Sequence, residues 1–204
     1  RFGDHIRKDV EIFNNKNLSK FEMLMDEWME FQKGWTYLES IFHSSDISRN
    51  LPNENKKFNY CDQSWKNIMR DINHDRKCAK AANNPKENLL ETFKQNNKIL
   101  DEIQKALNAY LEEKRKAFSR FFFLSNNELL LILAEANRNP EAVQPHLRKL
   151  FENINRIVTG EGMYAESITL IQSAEKEELK LARPPKTREA VEKWMKELES
   201  EMVR

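Results

Sequence analysis

The sequence predicts an all-α fold, and three observations support this prediction. Charged residues make up 33% of the 204 positions and apolar residues 39%, a balance typical of long helices with solvated faces. With only 4 glycines and 6 prolines, the chain has too few turn residues for an all-β protein. Apolar side chains also recur every three to four residues over long stretches, as they do along one face of an amphipathic helix.

The strongest helical pattern lies between residues 21 and 42. Its apolar side chains alternate spacings of three and four and share one face of a helix about six turns long: Phe21, Leu24, Trp28, Phe31, Trp35, Leu38 and Phe42. We expect this face to be buried, and Gly34 to permit the close approach of another helix. Ser19 is the predicted cap of this helix, and Ile6, Val10 and Phe13 predict a shorter helix before it.

A loop and two more helices are predicted next. The loop covers residues 44–53, and Pro52 sets the entry to a helix that continues to residue 82. The turn Asn83-Asn84-Pro85 ends that helix, because Asn is a good N-cap and Pro a good first helical residue. The following helix, from about 86 to 118, carries a near-heptad apolar seam that Asn96 interrupts.

The stretch from Tyr110 to Leu133 contains the end of that helix and the start of another. Ser125 stands three residues before Glu128 and ahead of an apolar run, which is the signature of a capping box. One helix therefore ends, the chain turns through aromatic residues, and a second helix starts at a fixed angle. Of the adjacent Phe121, Phe122 and Phe123, we expect two in the core.

The last third of the chain is predicted to be less regular. A helix from His146 to Val158 follows a break at 137–140, and two short strands with a connecting turn are predicted within 168–181, with a loop as the alternative. Thr187 is the predicted cap of a final helix. These boundaries divide the chain into helical packets over 1–158, with joints near 45–53 and 137–140, a loop and hairpin over 159–185, and a C-terminal helix over 186–204.

The sequence indicates no catalytic, nucleotide or metal site. None of the glycines at 3, 34, 160 and 162 precedes a Lys-Ser/Thr pair, so a phosphate-binding loop is absent from the sequence. His74 and Cys78 lie one helical turn apart, but two ligands do not make a zinc site. The net charge of +1 suggests neither a nucleic-acid nor a membrane surface. With two cysteines in a chain of this size, a reduced intracellular protein is expected.

Two groups of residues resemble one known family. The first group spans Trp28, Gln32, Trp35, Asp46, Pro52 and Trp65, and the second spans Lys114, Arg115, Arg120, Phe121, Ser125 and Glu128. In residue type and spacing they are similar to the linker of dynein heavy chains, with the axonemal subgroup favoured. The resemblance is strongest over residues 20–135. It implies an elongated arch of antiparallel helices followed by a small hairpin, often with Ser-Ala-Glu-Gly-Glu at its tip, where this chain has Lys176 in place of Gly.

The resemblance also implies a function and a set of partners. The linker is a mechanical lever that lies across the AAA+ ring of the same heavy chain, and ATP and Mg bind in that ring rather than in this segment. Microtubules would be contacted only through distant parts of the parent chain, and intermediate or light chains through its N-terminal tail. The expected location is the cytoskeleton of a ciliary or flagellar axoneme. A static helical scaffold of the spectrin kind is the alternative, although no regular internal repeat is found.

The basic cluster Lys114, Arg115, Lys116 and Arg120 allows two interpretations. Cations near a helix C-terminus interact favourably with its unpaired carbonyl groups, and this alone explains the charges. The functional interpretation is an ion-pair anchor to another module of the motor, in which Arg115 and Arg120 make the intramolecular contacts. The sequence leaves both interpretations open.

Overall fold

The computed structural model describes residues 3–12, 18–74, 88–136 and 139–203, and these are mostly helical, as predicted. The helices are α1 (Asp4–Ile12), α2 (Ser19–Phe42), α3 (Ser45–Asn50), α4 (Pro52–His74), α5 (Leu89–Ala117), α6 (Asn126–Glu135), α7 (Leu147–Leu150) and α8 (Val191–Met202). Short 3-10 helices lie at Ser119–Phe123, Pro140–His146 and Gly162–Tyr164. The strands are β1 (Ile154–Thr159), β2 (Ile168–Ser173) and β3 (Glu178–Lys180).

The chain forms two compact units. The N-terminal unit comprises residues 1–43 and 48–106, and the C-terminal unit comprises residues 44–47 and 107–204. Helix α5 contributes its first part to the N-terminal unit and its last part to the C-terminal unit.

An aromatic cluster forms the core of the N-terminal unit. Phe31 of α2, Trp65 of α4 and Phe93 of α5 are buried, and their ring centroids lie 5.2, 5.6 and 6.3 Å apart. Aromatic pairs in such tilted arrangements contribute roughly 0.5–1.5 kcal/mol each beyond the burial of their area. Trp35, expected in the buried face, is only half-buried, and its Nε1 donates a hydrogen bond to Asp62 Oδ1 at 3.2 Å.

Helices α2 and α5 approach each other closely at Gly34. A Cβ added at this position would lie 3.3 Å from Leu100 Cδ1, so the predicted close approach at Gly34 is confirmed and the neighbour is α5. Asn96, which interrupts the seam of α5, is buried and donates a hydrogen bond to Ser64 Oγ at 3.1 Å. The polar interruption therefore has a partner and ties α5 to α4.

A three-stranded antiparallel sheet in the order β1-β2-β3 lies in the C-terminal unit. The hairpin predicted within 168–181 is confirmed as β2 and β3. Strand β1 contradicts the prediction of a helix from His146 to Val158. The segment Ile-Asn-Arg-Ile-Val-Thr is rich in β-branched residues, which favour strands. In addition, the Gln144 side chain donates to Ile157 O at 2.7 Å and accepts from Ile157 N at 3.2 Å, and thereby satisfies the backbone of Ile157 in β1.

Other predicted boundaries also need correction. The predicted loop over 44–53 contains the short helix α3, and Ser19 is the first residue of α2 rather than its cap. Helix α8 begins at Val191, because Thr187 is engaged elsewhere: its Oγ1 donates to Glu166 O at 3.0 Å. Some predictions fall outside the described residues. They are those for Phe13, for Cys78, for the turn at 83–85 and for part of the 137–140 joint.

None of the described helices combines the length and the apolar character needed to span a bilayer.

Candidate functional site

The candidate site is the turn between α5 and α6 in the C-terminal unit, which we call the junction (residues 110–128). After α5 ends, Phe118 is extended, a 3-10 turn follows, and Leu124 is extended again before Ser125. Phe118 and Phe121 are buried, and their rings meet edge to face at 4.9 Å. The junction is therefore a turn built around two packed aromatic rings.

Arg115 forms hydrogen bonds across the junction, from the end of α5 to the start of α6. This largely buried guanidinium donates through Nη2 to Leu124 O at 3.2 Å and to Asn126 Oδ1 at 2.7 Å. Its Nη1 lies 3.5 Å from Glu112 Oε1 on the preceding helical turn. One side chain thus joins the end of α5 to the start of α6, and hydrogen bonds from a charged donor are among the stronger ones in proteins.

Arg120 forms hydrogen bonds from the junction to two other elements of the unit. Its Nε donates to Glu199 Oε1 at 2.7 Å, and its Nη1 donates to Leu150 O at 2.9 Å. The guanidinium also lies 4.8 Å from the centroid of the Phe151 ring. Since the planar fork of Arg supports such simultaneous contacts, Arg120 links the turn to both α7 and α8.

A second ion pair connects α5 to α8. Lys114 Nζ donates to Glu192 Oε1 at 2.5 Å, and both side chains are mostly buried. Among the described residues, Glu192 Oε2 and Trp194 Nε1 are buried without a hydrogen-bond partner. An unpaired buried polar atom costs roughly 1–3 kcal/mol, so apolar packing by Trp194 and Leu198 must offset this when α8 docks.

The capping box predicted at Ser125 and Glu128 is confirmed. Glu128 N donates to Ser125 Oγ at 3.3 Å, while Ser125 N donates to Glu128 Oε2 at 3.0 Å. Lys149 Nζ donates to Glu128 Oε1 at 2.5 Å, and His146 Nδ1 lies 3.7 Å from the same oxygen. The hydrogen bonds from Lys149 and from Ser125 lower the pKa of Glu128 to about 2. The carboxylate consequently joins α6 to α7, which contains Lys149, and lies near His146 just before that helix.

The expectation that two of the three adjacent phenylalanines lie in the core is wrong, because one does. Only Phe121 is buried, whereas Phe122 and Phe123 are 58% and 67% exposed. The 3-10 turn is the reason, because consecutive side chains in such a turn point about 120° apart and only one of the three can face the core. Phe122 retains one described contact, with the Arg115 guanidinium 6.0 Å from its ring centroid.

The remaining motif residues lie in the first 65 positions of the chain. Trp28 is half-buried and stacks on Phe93 at 5.5 Å, and Trp65 is buried in the aromatic core. Gln32 is exposed on α2, and Pro52 is the first residue of α4. Asp46 lies in α3, and its side chain is outside the described part of the structure.

Sequence reasoning missed the acceptors of the junction. Glu192 and Glu199 lie seven residues apart on α8, and each is paired with a cation 78 or 79 residues earlier in the chain. The available signal was their spacing, because residues seven apart share one helix face and these two flank the buried Trp194 and Leu198. No sequence pattern indicated that Leu150 would offer its carbonyl oxygen to Arg120.

No group of three or more His, Cys, Asp or Glu side chains within the described ranges is arranged to hold a metal ion. His74 is the last residue of α4, and Cys78, its proposed companion, is outside those ranges.

Comparison with known proteins identifies the family. The model of the family described as "Dynein heavy chain, N-terminal region 2" matches residues 1–204. The chain belongs to the dynein heavy-chain family. It is 45% identical over 203 residues to dynein axonemal heavy chain 6 of Homo sapiens, an alignment that covers 92% of this chain and 5% of the relative. It is 39% identical over 206 residues to dynein axonemal heavy chain 2 of Mus musculus, covering 99% of this chain and 4% of the relative.

This dynein heavy-chain segment therefore spans a small part of its relatives' length, 4–5% in these two cases. The resemblance found in the sequence is confirmed at the level of the family, and the relatives are axonemal, as favoured there.

Proposed function

We propose that this dynein heavy-chain segment is part of the linker, the mechanical lever of an axonemal motor. The observation that carries the proposal is the junction. Five of the motif residues either bond to a group beyond their own helical turn or form the cap that starts the next helix. They are Lys114, Arg115, Arg120, Ser125 and Glu128. Such bonding fixes the angle between two helices, which is the property that a lever needs.

The junction supports a lever because packed helical structures are stiff. Closely packed interiors transmit strain and change shape at discrete joints rather than by continuous bending. We propose that the junction is one of the stiff parts and that bending takes place elsewhere in the segment. The candidate joints remain residues 45–53, 137–140 and 159–162.

The other parts of the motor are proposed from the family alone. The AAA+ ring of the same heavy chain would bind ATP and Mg and would be the partner over which the linker moves. Contacts with microtubules, and with intermediate or light chains, would be made by parts of the heavy chain outside this segment. The proposed location is a ciliary or flagellar axoneme, and this segment itself would carry no catalytic site.

The test is Ser125→Ala in the full motor, with ATP turnover and microtubule gliding measured on one preparation. Loss of the N-cap hydroxyl costs about 1 kcal/mol, so the protein should still fold. Ser125→Ala also removes one of the bonds that hold Glu128. We expect gliding to slow more than ATP turnover, because a looser angle dissipates force without altering the ring.

Ser40→Ala is the matched control. Ser40 is an exposed serine whose hydroxyl bonds to Tyr37 O within α2, far from the junction in the chain. It should leave both rates unchanged. Equal reductions of gliding and turnover by Ser125→Ala, or no reduction, would contradict the lever and favour a static helical scaffold.

A further inference from the structure

We propose that α1 closes onto α2 as an antiparallel helical hairpin. The docking surface is a row of side chains that we call the α2 seam: Leu18, Phe21, Met25, Trp28 and Met29. The occupant is α1 of the same chain, through Ile6 and Val10. This proposal concerns the N-terminal unit alone and does not depend on a linker function.

Helix α1 has the properties of an element that needs a partner. It has nine residues, and every side chain described in it is exposed, including Ile6 at 52% and Val10 at 50%. Isolated helices shorter than about 12 residues are marginal in water, because nucleation is unfavourable and few hydrogen bonds offset it. Ile6 and Val10 are four residues apart and therefore lie on one side of the helix, where they form its apolar face.

The α2 seam offers a matching surface. Leu18, Phe21, Met25 and Trp28 follow spacings of three and four, and Met29 lies four residues after Met25, which is the pattern of a face that packs against another helix. Leu18, Met25 and Met29 are exposed, whereas Phe21 and Trp28 are half-buried. The seam is continuous with the core through Trp28, which stacks on Phe93. Methionine side chains are flexible and polarisable, and suit a surface that is covered and uncovered.

The lengths of the two helices set the register of the hairpin. Val10 is two residues before the end of α1 and Phe21 two residues after the start of α2, a distance of about 3 Å along each axis. Ile6 and Met25 are each six residues from the same ends, about 9 Å along each axis. An antiparallel arrangement thus places Val10 level with Phe21 and Ile6 level with Met25. Residues 13–18 connect the helices, a length usual for antiparallel neighbours.

Charges beside the seam agree with this register. Arg7, beside the apolar face of α1, falls between the levels of Glu22 and Asp26, which follow Phe21 and Met25 on α2. Charge pairs that flank an apolar seam select the partner and orientation of a helix pair. The same register therefore satisfies the apolar and the charged positions.

The first test is disulfide formation in the 204-residue chain carrying Ile6→Cys and Met25→Cys. Cys78→Ser removes one native thiol, and Cys61 can stay because burial raises its pKa to about 11 and leaves little thiolate. The control pair is Lys8→Cys with Met25→Cys, which puts one thiol on the opposite face of α1. Because a disulfide requires Cα atoms within about 7 Å, we expect the Ile6 pair to close at least about tenfold faster.

Equal rates for the two pairs would overturn the proposal, since they would mean that α1 has no preferred face. A disulfide that forms only between two chains would also overturn it, because the seam would then bind a second copy.

The second test is hydrogen exchange of the α1 amides after Met25→Glu. Met25 lies in the seam, whereas Met23 is exposed on another face of α2, so Met23→Glu is the matched control. A glutamate in the seam should prevent docking, and we expect the amides of residues 4–12 to exchange about tenfold faster than in the control. Equal exchange in both variants would mean that the seam does not hold α1.

Discussion

At the scale of single residues, the tip of the hairpin shows an uncommon backbone choice. Lys176 has φ 68°, a left-handed conformation that costs a residue with a side chain roughly 1–2 kcal/mol. The turn is otherwise well bonded, since Ser173 Oγ accepts hydrogen bonds from Glu175 N at 3.2 Å and Glu177 N at 3.1 Å. Lys176 stands where the motif Ser-Ala-Glu-Gly-Glu has Gly. The chain therefore forms the turn although Lys is unfavourable in this conformation.

Lys176→Gly should therefore stabilise the protein. Glycine removes the strain but adds freedom to the unfolded chain, and we expect a net gain of about 0.5–1 kcal/mol in the free energy of unfolding. Urea denaturation of the purified chain measures this. Lys180→Gly in β3 is the control and should lower stability, because Gly weakens an ordinary strand position. A loss of stability in Lys176→Gly would show that the left-handed turn is not strained.

Gly34 allows a similar experiment inside a helix. Ala is preferred to Gly in a helix by about 1 kcal/mol, but the new Cβ would lie 3.3 Å from Leu100 Cδ1. A groove of about 300 Å³ lined by both residues gives the end of the Leu100 side chain room to shift. We expect Gly34→Ala to stabilise by about 0.5 kcal/mol. Gly34→Leu should instead destabilise by roughly 1–3 kcal/mol through overpacking.

Thermal unfolding of both Gly34 variants beside the parent chain checks this prediction. A lower Tm for Gly34→Ala would mean that Leu100 cannot move and that the two helices are fixed at their present separation.

At the scale of elements, the junction depends on one carboxylate, that of Glu128, which joins α6 to α7. The pKa of Glu128 is lowered to about 2 by Lys149 and Ser125, so in the unfolded chain this group takes up its proton at a higher pH than in the folded one. Its contribution to stability is therefore fully present above about pH 4.5 and is lost as the pH falls towards 2.

Glu128→Gln should remove this pH dependence. We expect the variant to have a lower Tm than the parent at pH 6, and the difference to shrink steadily between pH 4.5 and pH 2. Glu135→Gln, an exposed position at the end of the same helix, is the control. A Tm difference that stays constant over this pH range would show that the charge of Glu128 does not stabilise the junction.

The elements also show which parts of the fold a sequence can predict. Helix α2 and the capping box at Ser125 were predicted correctly, because both depend on residues within one or two turns of each other. Strand β1 was missed because its bonds come from distant residues: it pairs with β2, and the backbone of Ile157 bonds to Gln144, 13 residues earlier in the chain. The start of α8 was misplaced for the same kind of reason, since Thr187 bonds to Glu166 rather than to the helix.

At the scale of the whole molecule, the sequence indicated the cations of the candidate site but not their acceptors. Lys114, Arg115 and Arg120 stood out as a basic cluster, but their acceptors include the Leu124 carbonyl, the Asn126 side chain and two glutamates 78 and 79 residues away. Pairs so distant in sequence depend on how α8 packs, and no local pattern records that. The family resemblance located the motif residues without indicating their bonding partners.

The last prediction concerns nucleotides and the whole segment. A nucleotide phosphate needs backbone N–H groups from a glycine-rich loop and a nearby lysine, and none of the four glycines in this sequence precedes a Lys-Ser/Thr pair. We therefore expect isothermal titration calorimetry of the purified chain with Mg-ATP to give no saturable heat. A coupled phosphate-release assay on the same sample should match the buffer. Saturable binding at micromolar affinity would contradict the proposal that ATP chemistry belongs to other parts of the heavy chain.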